Sequence, residues 1–255
     1  MYHPHILKLS ILTMSLKSSI AGLIRFCPPL FRLGSKIYHS LNSSFNTLSE
    51  GTPEAINDAF KLVLKESDGS PIGDYYEFGM FRGYSFLKAF EYSQSNGIDN
   101  IHFYGFDSFE GLPATEGVDV ADGRFFEGQF SCSKEQVESN LLSHGMDMSR
   151  ATLIEGFYSD SLTDALKEKH NFNKASVVLL DCDLYSSTIE ALDWLESYLQ
   201  SGTILLFDDW FSYGDDENLG QPKALNDFLE KNQTFSVEPL WKFSRNGKAF
   251  ILKID

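Results

Sequence analysis

Acidic residues are absent from the first 49 positions of this chain, cysteines number three in 255 residues, and no apolar run is long enough to cross a bilayer. Each scarcity excludes something. Cys27, Cys132 and Cys182 are odd in number and carry no ligand spacing, so they make neither a disulfide framework nor a thiolate metal site. They read as reduced thiols of a cytoplasmic protein. Basic residues are outnumbered, 21 Lys and Arg against 36 Asp and Glu, for a formal net charge of -15. Phosphate backbones are bound by positive surfaces, so nucleic acid is excluded as a partner. No clean small-residue cleavage site follows the N-terminal apolar clusters, which argues against a secretory leader.

The charge is unevenly placed. Lys8, Lys17, Arg25, Arg32 and Lys36 stand unopposed before Glu50, which leaves 16 basic residues against 36 acidic ones for the rest. Residues 1–49 are therefore read as a basic amphipathic arm and residues 50–255 as one domain, since 42% hydrophobic content supports a single sizeable core. Such an arm can pack on its own domain or on a second copy in a homo-oligomer. It can also lie on an anionic lipid surface and make the protein membrane-peripheral. The sparse basic residues favour packing.

The most informative stretch is Ser176 to Tyr213. Two apolar runs, Val177–Leu180 and Thr203–Phe207, each end in acids: Asp181 and Asp183 after the first, Asp208 and Asp209 after the second. Continuous aliphatic runs joined by a helix-patterned segment predict neighbouring parallel strands buried on both faces. Ligands of such sheets sit at the carboxyl ends of the strands, where these acids fall. Helix capping accounts for a lone aspartate. A pair on each of two adjacent strand ends is better explained by a hard cation such as Mg²⁺ held by Asp181, Asp208 and Asp209.

Upstream, Thr52 is the expected N-cap of a helix with Pro53 at its first position and Gly69 near its stop. A strand over Tyr75–Phe78 runs into a turn with Gly79 and Gly83, the first βα unit of a Rossmann-like site but without the three-glycine pyrophosphate fingerprint. That departure suits a ligand without phosphates. A second strand over Ile101–Phe106 ends at Asp107, where a carboxylate accepts ribose hydroxyls. Glu116–Cys132 has no usable period and is expected to be a ligand-contacting loop, with Phe125, Phe126 and Phe130 either an apolar lid or satellite core. Ser133 caps the next helix, whose last turn holds His144. A strand over Ala151–Gly156 precedes a helix ending near His170, a further helix begins about Pro222, and residues 235–240 and 248–254 alternate as a hairpin around Asn246-Gly247.

The phrases EFGMFRGYS, FDSFEGLP, LIEGFYSDSL, LLDCDLYSST, LLFDDW and GQPKALNDF together resemble the macrocin O-methyltransferase (TylF-like) family of class I S-adenosylmethionine-dependent methyltransferases, from about Asp74 to the C-terminus. The resemblance implies an α/β fold: a Rossmann-like sheet with helices on both faces and a C-terminal antiparallel β-hairpin. It implies methyl transfer from S-adenosylmethionine, with Mg²⁺, to a hydroxyl of a small-molecule or glycan acceptor. Carried over residue by residue, Glu77 and Gly79 would line the methionine end of the cofactor, Asp107 the ribose, and Ser159 with Asp160 the adenine side, with Gly83, Ser85 and Ser108 also among the cofactor-binding residues. Asp181 would touch both cofactor and metal, alongside Asp208 and Asp209. The family's histidine base has no counterpart before the helix that follows the loop, so Asp183 or a metal-bound hydroxide becomes the candidate base, with Asp181 beside it among the catalytic residues. That missing histidine also motivates a second reading, a non-catalytic scaffold of the same fold.

Overall fold

The computed structural model describes Phe45 and residues 50–120 and 123–255. The expected arm over residues 1–49, and any lipid contact by it, lies outside the described residues except for Phe45. No helix among the described residues is long and apolar enough to cross a membrane.

Seven strands form one sheet in the order β3-β2-β1-β4-β5-β7-β6. Strands β1 (Asp74–Phe78), β2 (Phe103–Asp107), β3 (Ala151–Glu155), β4 (Ala175–Leu180) and β5 (Ile204–Phe207) are mutually parallel. An antiparallel hairpin, β6 (Phe235–Phe243) and β7 (Gly247–Ile254), joins the sheet through β7 against β5. The chain leaves β1 towards β2 and β3, then returns to β4 on the other side. That reversal opens a crevice at the carboxyl ends of β1 and β4.

Side chains alternate across the sheet and so feed two cores. Tyr75, Phe103, Val177, Leu179, Ile204 and Leu206 pack on one face with residues of α1 (Thr52–Glu66), α2 (Tyr84–Ser95) and α3 (Lys134–Ser143). Tyr76, Phe78, Phe106, Val178, Leu180 and Phe207 pack on the other. There they meet Leu192, Trp194 and Leu195 of α6 (Tyr185–Leu195) and Leu225 and Phe228 of α7 (Gly220–Lys231). Both faces of β4 and β5 are buried throughout, which is why their sequences read as near-continuous apolar runs.

Four local expectations are revised. Thr52 is the first residue of α1 but does not cap it; Gly51 occupies the N-cap in a left-handed conformation and no side-chain cap forms. The segment after β3 folds as two short helices, α4 (Tyr158–Ser161) and α5 (Asp164–Lys169), because Thr163 breaks the run and caps the second by accepting from the Leu166 amide. Helix α7 begins at Gly220, two residues before Pro222, and Pro222 then falls in its first turn, where its missing N–H has no helical partner to lose. The hairpin is longer than its alternation suggests, pairing Phe243 with Gly247, so the turn is Ser244–Asn246.

Candidate active site

The crevice is a cleft of about 420 Å³. Its floor comes from the first residues after each central strand. Gly79 follows β1, Asp107 ends β2, Phe157 to Ser159 follow β3, Asp181 to Asp183 follow β4, and Asp208 and Asp209 follow β5. Its outer wall is the loop after β2, with Leu112, Pro113, Asp119, Gln129 and Phe130.

Tight backbone geometry shapes this rim. Gly79 has φ 89°, and a Cβ there would meet the Asp181 carbonyl oxygen at 1.9 Å. Only glycine fits where the β1 turn crosses the end of β4. Phe81, Phe109, Phe130 and Asp183 all hold positive φ, between 45° and 61°. Non-glycine residues in that region carry strain, and here they gather around one cleft.

Of the residues singled out from sequence, Gly79, Asp107, Ser108, Ser159, Asp181, Asp183, Asp208 and Asp209 line the cleft together. Glu77, Gly83, Ser85 and Asp160 are not part of its lining. Glu77 points to the α2 face of the sheet, fully buried, and accepts hydrogen bonds from the Tyr75 hydroxyl at 2.5 Å and the Ser85 hydroxyl at 2.7 Å. Burial pushes its carboxyl up to about 8, against the opposing pull of those two donors. Gly83 is the N-cap of α2 at φ 85°, where a Cβ would press on Val137 and Leu141 of α3. Ser159 and Asp160 are exposed on α4.

Asp107 is held by three backbone amides: Met80 at 2.7 Å and Phe81 at 3.1 Å on Oδ2, and Phe109 at 2.7 Å on Oδ1. It thereby ties the β1 turn to the β2 turn. Ser108 donates to the Gly111 carbonyl at 2.7 Å and accepts from the Glu110 amide at 3.1 Å, closing the turn that carries the loop away.

Asp181, Asp208 and Asp209 each offer an oxygen, all within 4.8 Å of one another. Burial first, and the neighbouring aspartates second, push the Asp181 carboxyl well above the ordinary carboxylate range; Asp209 is pushed up to about 7 by burial and by Asp208. Asp183 is raised by the same causes, with Asp209 its strongest charged neighbour. Asp209 Oδ1 accepts from the Ser212 hydroxyl at 3.0 Å, while its buried Oδ2 has no hydrogen-bond partner among the described residues. Three converging oxygen donors, mutually repelling and with one bare buried oxygen, fit a hard divalent cation.

Three contributors escaped the sequence reading. Gln221, fully buried at the start of α7, accepts from the Asp209 amide at 2.9 Å and donates to the Leu180 carbonyl at 2.9 Å, clamping the ends of β4 and β5 together. Asp119 accepts from the Tyr185 and Ser186 amides at 2.7 and 3.1 Å, capping α6 from 66 residues away. Arg124 donates to the Ser212 carbonyl and lies over the Tyr213 ring at 5.4 Å. The loop's phenylalanines divide: Phe125 joins Leu112 and Leu184 in a small satellite core, and Phe130 packs against it while lining the cleft. The only sequence signal for Gln221 was its place in the GQPKALNDF phrase.

Residues 54–238 match the family model of macrocin O-methyltransferase (TylF). The chain belongs to this family. A relative, 8-demethyl-8-(2,3-dimethoxy-alpha-L-rhamnosyl)-tetracenomycin-C 4'-O-methyltransferase of Streptomyces olivaceus, is 31% identical over 149 residues, 56% of this chain and 55% of that protein. The match thus spans about half of that relative's length. Among solved structures, the O-methyltransferase NovP superposes with a TM-score of 0.64 at 20% identity, covering 78% of both chains. The calicheamicin methyltransferase CalS11 superposes with a TM-score of 0.55 at 19% identity, covering 78% of this chain and 77% of that one. These likenesses carry the fold: a methyltransferase sheet with helices on both faces and a terminal antiparallel hairpin.

Proposed function

We propose that the chain is a Mg²⁺-dependent O-methyltransferase that moves a methyl group from S-adenosylmethionine to a sugar hydroxyl of a glycosylated metabolite or glycan. The observation that carries it is the convergence of Asp181, Asp208 and Asp209 within 4.8 Å beside the Gly79 turn. Family membership supports the cofactor, and the relative's name, a rhamnosyl 4'-O-methyltransferase, supports a sugar acceptor.

Asp181, Asp208 and Asp209 would hold the cation. A divalent cation lowers the pKa of a bound hydroxyl and fixes its oxygen for attack. Gly79 lets the β1 turn approach the end of β4, so the cofactor and the acidic cluster share one floor. Asp107 orders that turn through the Met80 and Phe81 amides, and Ser159 edges the cleft on the far side. Asp183 lines the cleft two residues beyond Asp181 and takes the proton that the acceptor hydroxyl gives up as the methyl leaves sulfur for oxygen. Leu112, Phe130 and Phe157 keep the reacting atoms from bulk water.

The purified full chain is expected to bind S-adenosylhomocysteine in a calorimeter and to transfer labelled methyl to rhamnosyl glycosides in a reaction that EDTA stops and Mg²⁺ restores. Absence of cofactor binding overturns the reading. Transfer that persists in EDTA overturns its metal dependence.

A further inference from the structure

Thr52 lies two residues before the segment matched by the family model, yet its side chain reaches the acidic cluster. It is fully buried at the first position of α1, and its hydroxyl donates to Asp208 Oδ1 at 2.6 Å across 156 residues of sequence. A threonine at the N-cap turns its oxygen onto the helix's own amides, but Thr52 sits one residue further in, behind Gly51. Helix α1 goes without a side-chain cap. A buried hydroxyl aimed at a carboxylate makes a short, charge-assisted bond, and β-branching leaves the threonine side chain little freedom to swing away.

The backbone behind Thr52 is equally fixed. Gly51 has φ 99°, and a Cβ there would lie 2.9 Å from the Ser244 amide nitrogen in the β6–β7 turn. The same turn reaches the cluster from its other end. Asn246 donates to the Ser212 hydroxyl at 3.4 Å, and Ser212 donates to Asp209 Oδ1 at 3.0 Å. Each of the two adjacent aspartates thus has an oxygen engaged by a hydroxyl, Asp208 by Thr52 and Asp209 by Ser212; Ser212 is hydrogen-bonded to the hairpin turn, and Gly51, next to Thr52, packs against the same turn. Asp209 Oδ2 is buried beside them with no hydrogen-bond partner among the described residues.

We propose that Thr52 is a positioning residue for the cation site: its hydroxyl fixes the Asp208 carboxylate in the orientation that a divalent cation needs, so that the segment entering α1 sets metal affinity. The inference rests on the metal reading above. Hydrogen bonds to a ligating carboxylate orient it, and their loss typically costs 10–100-fold in metal affinity.

Mn²⁺ binding to the full chain, followed by the electron paramagnetic resonance of the free ion without cofactor present, tests it. Thr52→Val is expected to weaken Mn²⁺ binding about 10–100-fold, Thr52→Ser to keep wild-type affinity, and Asp181→Ala to abolish binding. S-adenosylhomocysteine affinity, measured without metal, should stay unchanged in both Thr52 variants, which a general structural role would not allow. If Thr52→Val does not fold, Thr52→Ala is read in its place. Wild-type Mn²⁺ affinity in a folded Thr52→Val or Thr52→Ala protein, with binding still lost in Asp181→Ala, overturns this proposal and leaves the metal site standing. No Mn²⁺ binding by the wild type overturns both.

Discussion

The Cα of Gly79 faces the backbone carbonyl of Asp181 so closely that a methyl group on it would sit 1.9 Å from the oxygen. Two crossing backbones at the ends of β1 and β4 leave no room for a side chain, and the φ of 89° is one that residues other than glycine rarely adopt. Gly79→Ala is therefore expected to push the β1 turn off the end of β4. Calorimetric binding of S-adenosylhomocysteine should fall at least tenfold, about 1.4 kcal/mol, while far-ultraviolet circular dichroism keeps its α/β shape. Unchanged affinity would mean that this crossing does not shape the cofactor's side of the cleft.

Gln221 makes a second crossing of this kind with a side chain. Its amide group accepts from Asp209 and donates to Leu180, so one residue of α7 sets the spacing between the acids of β4 and β5. Gln221→Met keeps the volume but strands a buried amide and a buried carbonyl, at about 1–3 kcal/mol for each. Urea denaturation should show the loss in the transition midpoint. Mn²⁺ affinity should fall with it, because the acids lose their common frame. A variant as stable as the parent would show that water replaces both bonds.

What the sequence disclosed, and what it hid, follows from the range of the interactions. Strands β4 and β5 are buried on both faces, so their apolar runs and the acids that follow them stand out in a single reading. The Asp181, Asp208 and Asp209 cluster was legible for the same reason: strand ends in a parallel sheet are neighbours in space. Thr52 shows the limit. Local rules make it an N-cap, and nothing within a few residues of it announces that its partner is Asp208. Asp119 and Gln221 were hidden likewise, one in a loop without period and the other inside a helix, since each acts on backbone atoms tens of residues away. Glu77 was legible as an acid near the end of a strand, but its engagement by the Ser85 hydroxyl of α2 is a tertiary contact that strand pattern alone does not specify.

Asp119 carries the third prediction. Helix α6 begins at Tyr185 without a cap from its own N-cap residue, Leu184, and takes both oxygens of Asp119 instead. The negative charge also meets the positive end of the helix dipole. Asp119→Ala should cost about 0.5–2 kcal/mol of stability, the range for a lost cap, and should free the loop from the helix that follows Asp183. Limited proteolysis is expected to cut the variant within residues 117–130 faster than the wild type. Equal cleavage rates would place the loop's anchorage elsewhere, in Phe125 and its contacts with Leu112 and Leu184.

The last prediction concerns pH and metal together. Asp181, Asp183 and Asp209 are all raised in the folded chain, first by burial and then by neighbouring aspartates, Asp208 foremost for Asp181 and for Asp209, and Asp209 foremost for Asp183, with Asp209 reaching about 7. Unfolded, each ionises near 3.9. Between those values the folded state binds more protons than the unfolded one, so metal-free stability falls as pH rises from about 4 through about 7. A divalent cation binds the ionised cluster and so reverses the trend. The melting temperature in EDTA should therefore decline from pH 5 to pH 8, and millimolar Mg²⁺ should restore it at pH 8 with little effect at pH 5. Asp209→Asn removes one ionisation and one ligand, so its melting temperature in EDTA should decline less steeply and its response to Mg²⁺ should shrink. A wild-type melting temperature that is flat across this range, and unmoved by Mg²⁺ at pH 8, would mean that these carboxylates hold no extra protons in the folded chain and that Asp181, Asp208 and Asp209 hold no cation.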